Sequence, residues 1–376
     1  MSIRRIIILL AAAGILLFSA CSDDDKKNTT DYEGMITAVC DSIVENTDVP
    51  GIVIQIKAPD EDIDLLYATG KSDLEQDLPM RSDMTHRIGS VTKTFVITVM
   101  LQLIDAGELT LDTTLDNYYP QVPQSEIITM EMLADMTSGL RNYMETEEFY
   151  EILVVEADHY FAPDSLINIS IRAGADFDPG TSWHYSNTNT ILIGRIIEMI
   201  TGNDLKSELQ TRIFDVLGMT DTEFLDGGTT IPGDHPQGYY AGEIDPDYYN
   251  MTEVFDISMG WAAGSIVSNM ADMQKYVEAL VDGTLISDDL QQLRLNCQNP
   301  VPGKVLQYGI GMADYNGFFG HNGGFPGFTT SCYKSIDKNC TFLIFYNCQL
   351  DSQLPDMLFE QLSSLIYPDM NWVIEN

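Results

Sequence analysis

The sequence predicts an α+β fold in which both ends of the chain contribute to one antiparallel sheet and the middle is a helical insertion. Three observations support this prediction. A helix and a hairpin come first, strand-like runs follow one another closely near the end, and the long stretch between them has the pattern of short helices and loops. Close-set strands with short connections pair antiparallel, because parallel neighbours need long crossovers.

The N-terminal part begins with a helix at 33–45, where apolar residues recur with helical spacing. A strand at 52–57 follows, and acidic turn residues lead to its hairpin partner at 65–69. The segment from Thr92 to Ala106 is apolar on nearly all sides, which predicts a buried helix. Gly107 ends that helix.

The remaining elements follow from the same spacing and turn signals. Helices are predicted at 128–136, 190–200, 204–217 and 271–280 and from Pro355 to Ile366, and the segment 238–251 has the composition of a loop. Strands are predicted at 306–312, 317–322, 328–334 and 340–346. We therefore predict one folded domain at residues 35–370. Its sheet part comprises about 35–90 and 260–370, and its helical part comprises about 91–259.

Residues 1–20 have the layout of a secretory signal peptide, with Arg4 and Arg5 ahead of an apolar run and then small residues. Cys21 follows directly, which resembles the lipobox of bacterial lipoproteins and predicts lipidation of Cys21. Plain secretion with Cys21 as an ordinary thiol is the alternative. Residues 21–34 are polar and predict a flexible tether. We expect a bacterial cell-envelope protein that is lipid-anchored in the outer membrane, on its periplasmic or its surface side.

The charge balance excludes whole classes of partner. The chain carries 19 basic and 57 acidic residues, a formal net charge of −38. Such a surface does not bind nucleic acid, and it does not dock on anionic membranes through a basic patch. We therefore expect contact with a membrane only through the lipid anchor, and solubility outside the cell is the simplest interpretation of the acidity.

The cysteines beyond position 21 predict neither a metal site nor a cofactor site. They are Cys40, Cys297, Cys332, Cys340 and Cys348. No pair has zinc-site spacing with nearby histidines, and the odd count leaves at least one thiol unpaired within the chain. Cys332 and Cys340 face each other in only one register of a hairpin. We predict structural thiols, no metal and no cofactor.

Ser90 and Lys93 supply two of the groups that acyl transfer through a serine requires. They lie three residues apart at the start of the predicted apolar helix, so their side chains share one helix face. A hydroxyl needs an adjacent base to become a nucleophile, and a lysine amine buried against an apolar wall loses its proton and becomes that base. Taken alone, the pair is also compatible with a capping serine and a lysine that extends to solvent.

Two later segments supply the remaining groups. Tyr185 can pass a proton to the leaving group if its pKa is depressed beside Lys93. Asn187 can hold Lys93 and a substrate carbonyl. The backbone N–H groups of Gly324 and Ser90 can together bind the oxyanion of the tetrahedral intermediate.

These segments resemble, in order and spacing, the penicillin-recognising serine hydrolases, in which Ser-x-x-Lys, Tyr-x-Asn and Lys/His-x-Gly line one cleft. The flanking segments 86–95, 136–140, 261–264 and 320–328 also look like this family. The resemblance runs from about residue 35 to 367. It implies a β-lactamase/transpeptidase-like fold, nearest to class C β-lactamases, D-alanyl-D-alanine carboxypeptidases and related esterases.

The resemblance also implies further site residues and exposes departures from the family. His321 would complete the hydrogen bonds to the catalytic serine and tyrosine, and Trp261 would form a wall of the cleft. Asn322 stands where the family's carboxypeptidases carry a hydroxyl that binds a C-terminal carboxylate. No lysine or arginine lies between Lys304 and Lys334, so the cation that helps to bind this carboxylate must come from elsewhere in the fold.

The sequence therefore predicts a cell-envelope serine hydrolase that acts through an acyl-enzyme on Ser90. We expect a D-alanyl-D-alanine carboxypeptidase-like peptidase acting on peptidoglycan-type peptides, which β-lactams can inhibit. The alternatives are an esterase, a D-amino-acid amidase or a β-lactamase on the same scaffold. A lipoprotein that binds envelope material without turnover is the alternative from a different class.

Overall fold

The computed structural model describes residues 30–240, 248–350, 354–370 and 372. The predicted signal peptide, Cys21 and most of the predicted tether lie outside these residues. None of the helices in the described ranges combines the length and the apolar character needed to cross a bilayer.

The helices of the described chain are bounded as follows. They are α1 (Tyr32–Asn46), α2 (Thr92–Asp105), α3 (Met130–Ala134), α4 (Glu147–Val155), α5 (Pro163–Ala173), α6 (Asn187–Thr201), α7 (Leu205–Leu209), α8 (Asp215–Leu217), α9 (Met270–Asp282), α10 (Asp288–Leu295) and α11 (Leu354–Ile366).

The strands are short except in the central sheet. They are β1 (Gly51–Ala58), β2 (Ile63–Asp73), β3 (Leu78–Pro79), β4 (His86–Arg87), β5 (Glu223–Phe224), β6 (Tyr239–Tyr240), β7 (Tyr249–Asn250), β8 (Ile266–Ser268), β9 (Asn299–Pro300), β10 (Gln307–Tyr308), β11 (Ala313–Tyr315), β12 (Phe318–Phe325), β13 (Phe328–Ser335), β14 (Cys340–Tyr346) and β15 (Cys348–Gln349).

One nine-stranded sheet joins the two ends of the chain, in the order β3-β2-β1-β14-β13-β12-β11-β10-β9. β1 pairs antiparallel with β14, from Ile52 opposite Tyr346 to Lys57 opposite Thr341. β13 is buried along its whole length because the sheet is covered on both faces. Helices α1 and α11 pack on one face, and α9 and the helical part lie on the other. This is the predicted α+β arrangement.

Several element predictions need correction. The strand predicted at 306–312 is wrong, because Gly311 adopts a left-handed φ of +64° and turns the chain between β10 and β11. The helix predicted at 204–217 is interrupted by a π-turn at Gln210–Phe214. The helix predicted at 128–136 is shorter, since it begins only after Thr129, whose side chain accepts a hydrogen bond from the Met132 N–H. Helices α4, α5 and α10 were not predicted.

Helix α2 lies in the centre of the molecule, between the sheet and the helical part. Its residues from Thr92 to Leu101 are all buried, as its apolar composition predicts. A three-stranded sheet in the order β4-β8-β5 connects the segment before α2 to the helical part. The five predicted structural thiols are free and buried. Cys332 faces Leu343 and Cys340 faces Ser335, so the two cysteines do not meet.

Candidate active site

Ser90 lies where a strand, a tight turn and a helix meet. The turn Gly89–Val91 follows β4 and runs directly into α2. Gly89 has a φ of +51°, and a Cβ atom there would approach the backbone nitrogen of Gly324 to 2.6 Å. Only glycine fits this position, and it allows the turn that carries Ser90 to press against β12.

Lys93 is fully buried one helical turn after Ser90. Its Nζ lies 2.9 Å from Ser90 Oγ and 2.8 Å from the carbonyl oxygen of Ala263. Burial lowers the pKa of Lys93 well below its ordinary value of 10.5. A neutral amine that donates one N–H to the Ala263 carbonyl still has a lone pair to accept the Ser90 proton. The pair therefore has the geometry of a nucleophile and its base.

Tyr185 lies beside this pair, but its pKa differs from the predicted one. Its ring centroid is 4.9 Å from Lys93 Nζ, and its buried hydroxyl makes no hydrogen bond of standard geometry. Burial raises the pKa of Tyr185, and the neighbouring Ser90 hydroxyl offsets only part of that rise. The predicted depressed pKa is wrong, because a buried neutral amine supplies no charge to stabilise a phenolate. Tyr185 stays protonated and can act as a proton donor.

His321 lies in the cleft on β12 but has other partners than predicted. Its Nδ1 contacts the carbonyl oxygen of Asn322, which can only accept, so Nδ1 carries the proton. Nε2 then accepts from the Tyr308 hydroxyl at 3.1 Å. The predicted hydrogen bonds to Ser90 and Tyr185 are not formed. Burial lowers the pKa of His321 to about 3, so the ring is neutral.

Asn187 lines the cleft without holding the lysine. Its Nδ2 donates to Asn142 Oδ1 at 3.2 Å and also contacts Met144 Sδ at 3.1 Å. The prediction that Asn187 holds Lys93 is therefore wrong, because the carbonyl of Ala263 accepts the hydrogen bond from Lys93 instead. The Asn187 side chain still borders the cleft, where a substrate carbonyl can lie.

Trp261 does not form a cleft wall, and that prediction is wrong. Its indole is buried in the core, where its centroid lies 6.3 Å from that of Phe224. Gly194 makes room for the indole, since a Cβ atom there would lie 2.9 Å from Trp261 Cζ3. Trp261 begins the short turn Trp261–Ala263, whose last carbonyl accepts the hydrogen bond from Lys93.

Asn322 and Gly324 lie on the part of β12 that borders the cleft. The Asn322 Nδ2 donates to Asp356 Oδ2 at 2.6 Å, which directs this amide toward α11. Gly324 has open space where a Cβ would be, so a substrate backbone can approach closely. β11 pairs with β12 only from Phe318 to Gly320. Among the described residues, no strand covers this edge of β12 between Asn322 and Phe325.

A cleft of about 570 Å³ opens above these groups. Its polar side chains include Ser90, Tyr185, Asn187, Tyr308 and His321. Its apolar wall is formed by Met144, Phe149, Trp183, Met259, Val301 and Leu306. Sequence reasoning missed Tyr308, Trp183 and the Ala263 carbonyl, because single aromatic residues and backbone acceptors leave no motif. A nucleophile, a neutral base, a proton donor and an open strand edge in one cleft define a serine hydrolase with a lysine base.

Comparison with known proteins agrees with this class. The Beta-lactamase family model matches residues 37–360. The chain therefore belongs to the β-lactamase family. The match confirms the predicted family, and the similar proteins indicate hydrolase activity.

The similar proteins include a putative penicillin-binding protein and a D-aminopeptidase. The chain is 26% identical over 284 residues to the putative penicillin-binding protein PbpX of Bacillus subtilis, covering 76% of this chain and 66% of that protein. It is 27% identical over 288 residues to a D-aminopeptidase of Cereibacter sphaeroides, covering 74% of this chain and 53% of that protein. The matches thus span between about half and two thirds of the length of these relatives.

A solved structure shows the same fold. The D-amino acid amidase from Ochrobactrum anthropi SV3, complexed with D-phenylalanine, superimposes with a TM-score of 0.81 at 25% identity. The superposition covers 90% of this chain and 99% of that chain. It confirms the predicted β-lactamase/transpeptidase-like fold.

Replacing Tyr185 with phenylalanine is expected to slow amide hydrolysis by about 10²- to 10⁴-fold, the usual contribution of a general acid. A 4-nitrophenyl ester is expected to lose far less, because its leaving group departs without protonation. Steady-state kcat/KM on both substrates checks this. Tyr150→Phe, at an exposed tyrosine, is the control and is expected to change neither rate. Equal losses on amide and ester would contradict the assigned proton transfer.

Proposed function

We propose that this protein is a cell-envelope serine hydrolase that forms an acyl-enzyme on Ser90 and acts as a D-alanyl-D-alanine carboxypeptidase-like peptidase. The observation that carries the proposal is the contact of 2.9 Å between the buried Lys93 amine and Ser90 Oγ, beside an open strand edge. The edge can bind an extended peptide, and the amine can activate the serine.

The reaction follows from the positions of these groups. The peptide pairs with the edge of β12, and its scissile carbonyl oxygen faces the N–H groups of Ser90 and Gly324. Ser90 Oγ forms a bond to the carbonyl carbon while its proton moves to Lys93. The tetrahedral intermediate then collapses, the C–N bond breaks, and the leaving amine takes a proton from Tyr185. Lys93 returns a proton to Tyr185, and water hydrolyses the ester by the same route.

The shape of the strand edge supports a peptidase that releases a short C-terminal segment. A peptide that pairs antiparallel with β12 runs in the same direction as β11, so its C-terminal end points toward Ala313, where β11 begins. Ala313 lines the cleft at this end. Three residues of β12 separate Gly324 from Gly320, which pairs with Ala313. At roughly 3.3 Å per residue of extended chain, this stretch admits a leaving group of one to about three residues.

The proposed location rests on the N-terminal sequence. Export and lipidation of Cys21 are favoured by Arg4, Arg5 and the apolar run that precedes Cys21. On this proposal a short tether connects the folded domain to a lipid anchor in the outer membrane. The similarity to a putative penicillin-binding protein supports sensitivity to β-lactams.

A D-amino-acid amidase or esterase is the second candidate. The apolar wall around Trp183 and Met144 can hold a bulky side chain, and the superimposed amidase is complexed with D-phenylalanine. On this alternative Ser90 and Lys93 keep their roles, and only the acyl and leaving groups differ.

The test compares three substrates with the purified protein. We expect kcat/KM for D-alanine release from a peptide ending in D-Ala-D-Ala to exceed that for D-phenylalaninamide and for a short acyl ester by about tenfold or more. D-Alanine release is measured by a coupled oxidase assay. Faster hydrolysis of the amide or ester, with no release of D-alanine, would assign the protein to the second candidate.

A further inference from the structure

We infer that Asn187 is a specificity-determining residue whose side-chain oxygen accepts a hydrogen bond from an N–H group on the acyl part of the substrate. Asn142 and Glu145 are the positioning residues that fix this polarity. The inference rests on the proposed function and deepens it, because it states which acyl groups the Ser90 site accepts.

The amide of Asn142 has one orientation that satisfies its neighbours. Asn142 directly precedes the short turn Tyr143–Glu145. Its Oδ1 accepts hydrogen bonds from the backbone N–H groups of Met144 and Asn187, both at 3.3 Å. Its Nδ2 donates to Glu145 Oε1 at 2.9 Å. A backbone N–H can only donate and an ionised carboxylate can only accept, so exchanging the oxygen and the nitrogen of this amide would break all three contacts.

The orientation of Asn142 in turn determines that of Asn187. The group of Asn187 that faces Asn142 Oδ1 must be a donor, and its Nδ2 lies there at 3.2 Å. The same nitrogen contacts Met144 Sδ, a weak acceptor, at 3.1 Å. The Asn187 side chain lines the cleft, and among the described residues no donor reaches its Oδ1. The hydrogen-bonding group that Asn187 offers to a ligand is therefore an acceptor.

Asn187 borders the acyl part of the cleft and not its leaving-group end. Tyr185 faces the leaving-group end, where its ring contacts that of Tyr308, the residue paired with Ala313. Asn187 instead contacts the segment around Tyr143, whose hydroxyl donates to the carbonyl oxygen of Met259 at 2.6 Å. Met259 lines the cleft away from β10 and β11.

An extended substrate presents an N–H group at this place. In antiparallel pairing, one residue turns both its N–H and its carbonyl to the neighbouring strand, and the next residue turns both away. The residue with the scissile carbonyl faces β12, so the residue before it directs its N–H and its carbonyl away from β12. Of these two groups, only the N–H can hydrogen-bond Asn187 Oδ1. In a substrate with a single acyl residue, a free α-ammonium group supplies the same donor chemistry.

The test compares substrates that differ only in this donor. The first pair is a peptide ending in D-Ala-D-Ala and the same peptide with an ester oxygen in place of the N–H of its third residue from the C-terminus. The second pair is D-phenylalaninamide and its N,N,N-trimethyl derivative, which keeps the positive charge without an N–H group. The two pairs distinguish an amide N–H from an ammonium as the source of the donor.

For the wild-type protein we expect kcat/KM to favour the N–H member of at least one pair by about tenfold or more, because the other member leaves Asn187 Oδ1 without a donor. Asn187→Leu, which has nearly the same shape, is expected to remove this preference by slowing the N–H member. Equal rates within both pairs would overturn the inference. A preference that survives in Asn187→Leu would arise from the shape of the substrate and would also overturn it.

A polarity swap tests the two positioning residues. Asn142→Asp places a second carboxylate against Glu145 and is expected to reduce the preference to about threefold or less. Adding Glu145→Gln to this variant supplies an amide donor to the new carboxylate, whose other oxygen can still accept from Asn187. The double variant is therefore expected to recover the wild-type preference within about threefold. Glu145→Gln alone keeps an acceptor for Asn142 and is the matched control, with an unchanged preference.

The outcomes separate this inference from the proposed function. An unchanged preference in Asn142→Asp, or a folded double variant that does not recover it, would overturn the roles of Asn142 and Glu145. If only the amide pair is turned over, the peptidase proposal fails and the ratio within that pair still decides the role of Asn187. Turnover of neither pair would overturn both.

Discussion

Replacing Ser90 with alanine is expected to lower kcat by about 10⁴- to 10⁶-fold on every substrate the wild-type protein hydrolyses, as expected for loss of a nucleophile that acts with its base as a unit. Ser90 is the only described hydroxyl that forms a hydrogen bond with Lys93 Nζ. Steady-state kinetics with a peptide and with an ester measure the loss. Because the change removes one small polar atom, the fold is expected to remain intact by circular dichroism.

Ser186→Ala is the matched control for this prediction. Ser186 is also buried, lies next to Tyr185 in sequence, and has a hydroxyl without a hydrogen-bond partner. Its loss is expected to change kcat by no more than about threefold, since it touches none of the reacting groups. If Ser90→Ala retained activity within tenfold of the wild type, the assignment of Ser90 as nucleophile would be wrong.

Replacing Lys93 with methionine is expected to lower kcat/KM by about 10³-fold or more near neutral pH, because the base that activates Ser90 is lost while the length of the side chain is kept. Lys93→Arg is expected to fail equally, since a guanidinium does not give up its proton at such pH. The loss is expected mainly in kcat, because the amine acts on the serine and not on the substrate in the ground state.

The pH dependence identifies Lys93 independently of the size of the loss. Burial lowers the pKa of Lys93, so kcat/KM of the wild type is expected to fall as the pH drops through this pKa, at a pH well below 10.5. The pKa of His321 is about 3, and that of Tyr185 is raised, so neither group titrates near neutral pH. His321→Asn is therefore expected to keep the acid limb of the profile, and Lys93→Met to lose it. An unchanged acid limb in Lys93→Met would assign that limb to another group.

The parts of the site that local spacing determines could be predicted from the sequence. Ser90 and Lys93 meet because residues three apart on one helix are neighbours, and this follows from helix geometry alone. The sheet shared by both termini also followed from the order of strand-like and helix-like runs. Each of these features depends on residues that are close in the sequence or on simple patterns of burial.

The parts that depend on tertiary contacts were mispredicted. Asn187 bonds Asn142, and Lys93 bonds the carbonyl of Ala263, and both contacts join segments far apart in the chain. The amide of Asn187 has no feature that would favour one of these partners over the other. Trp261 entered the core because Gly194, on a distant helix, leaves space for its indole.

Electrostatics set a similar limit on prediction. The pKa of Tyr185 rises and does not fall, because burial of the phenol outweighs its polar neighbours. Burial of this kind follows from the packing of helices and strands and cannot be inferred from a motif. The position of Lys304 beside the cleft likewise cannot be inferred from a motif, because this residue lies in a turn between two very short strands.

The most direct test of the central claim is the site of covalent modification by a fluorophosphonate, located by mass spectrometry of the digested protein. The structure predicts one adduct, on the peptide that contains Ser90. The adduct is expected to be absent in Ser90→Ala and to form more slowly in Lys93→Met. An unmodified Ser90 after prolonged reaction of the folded protein, or an adduct on a different residue, would contradict the account.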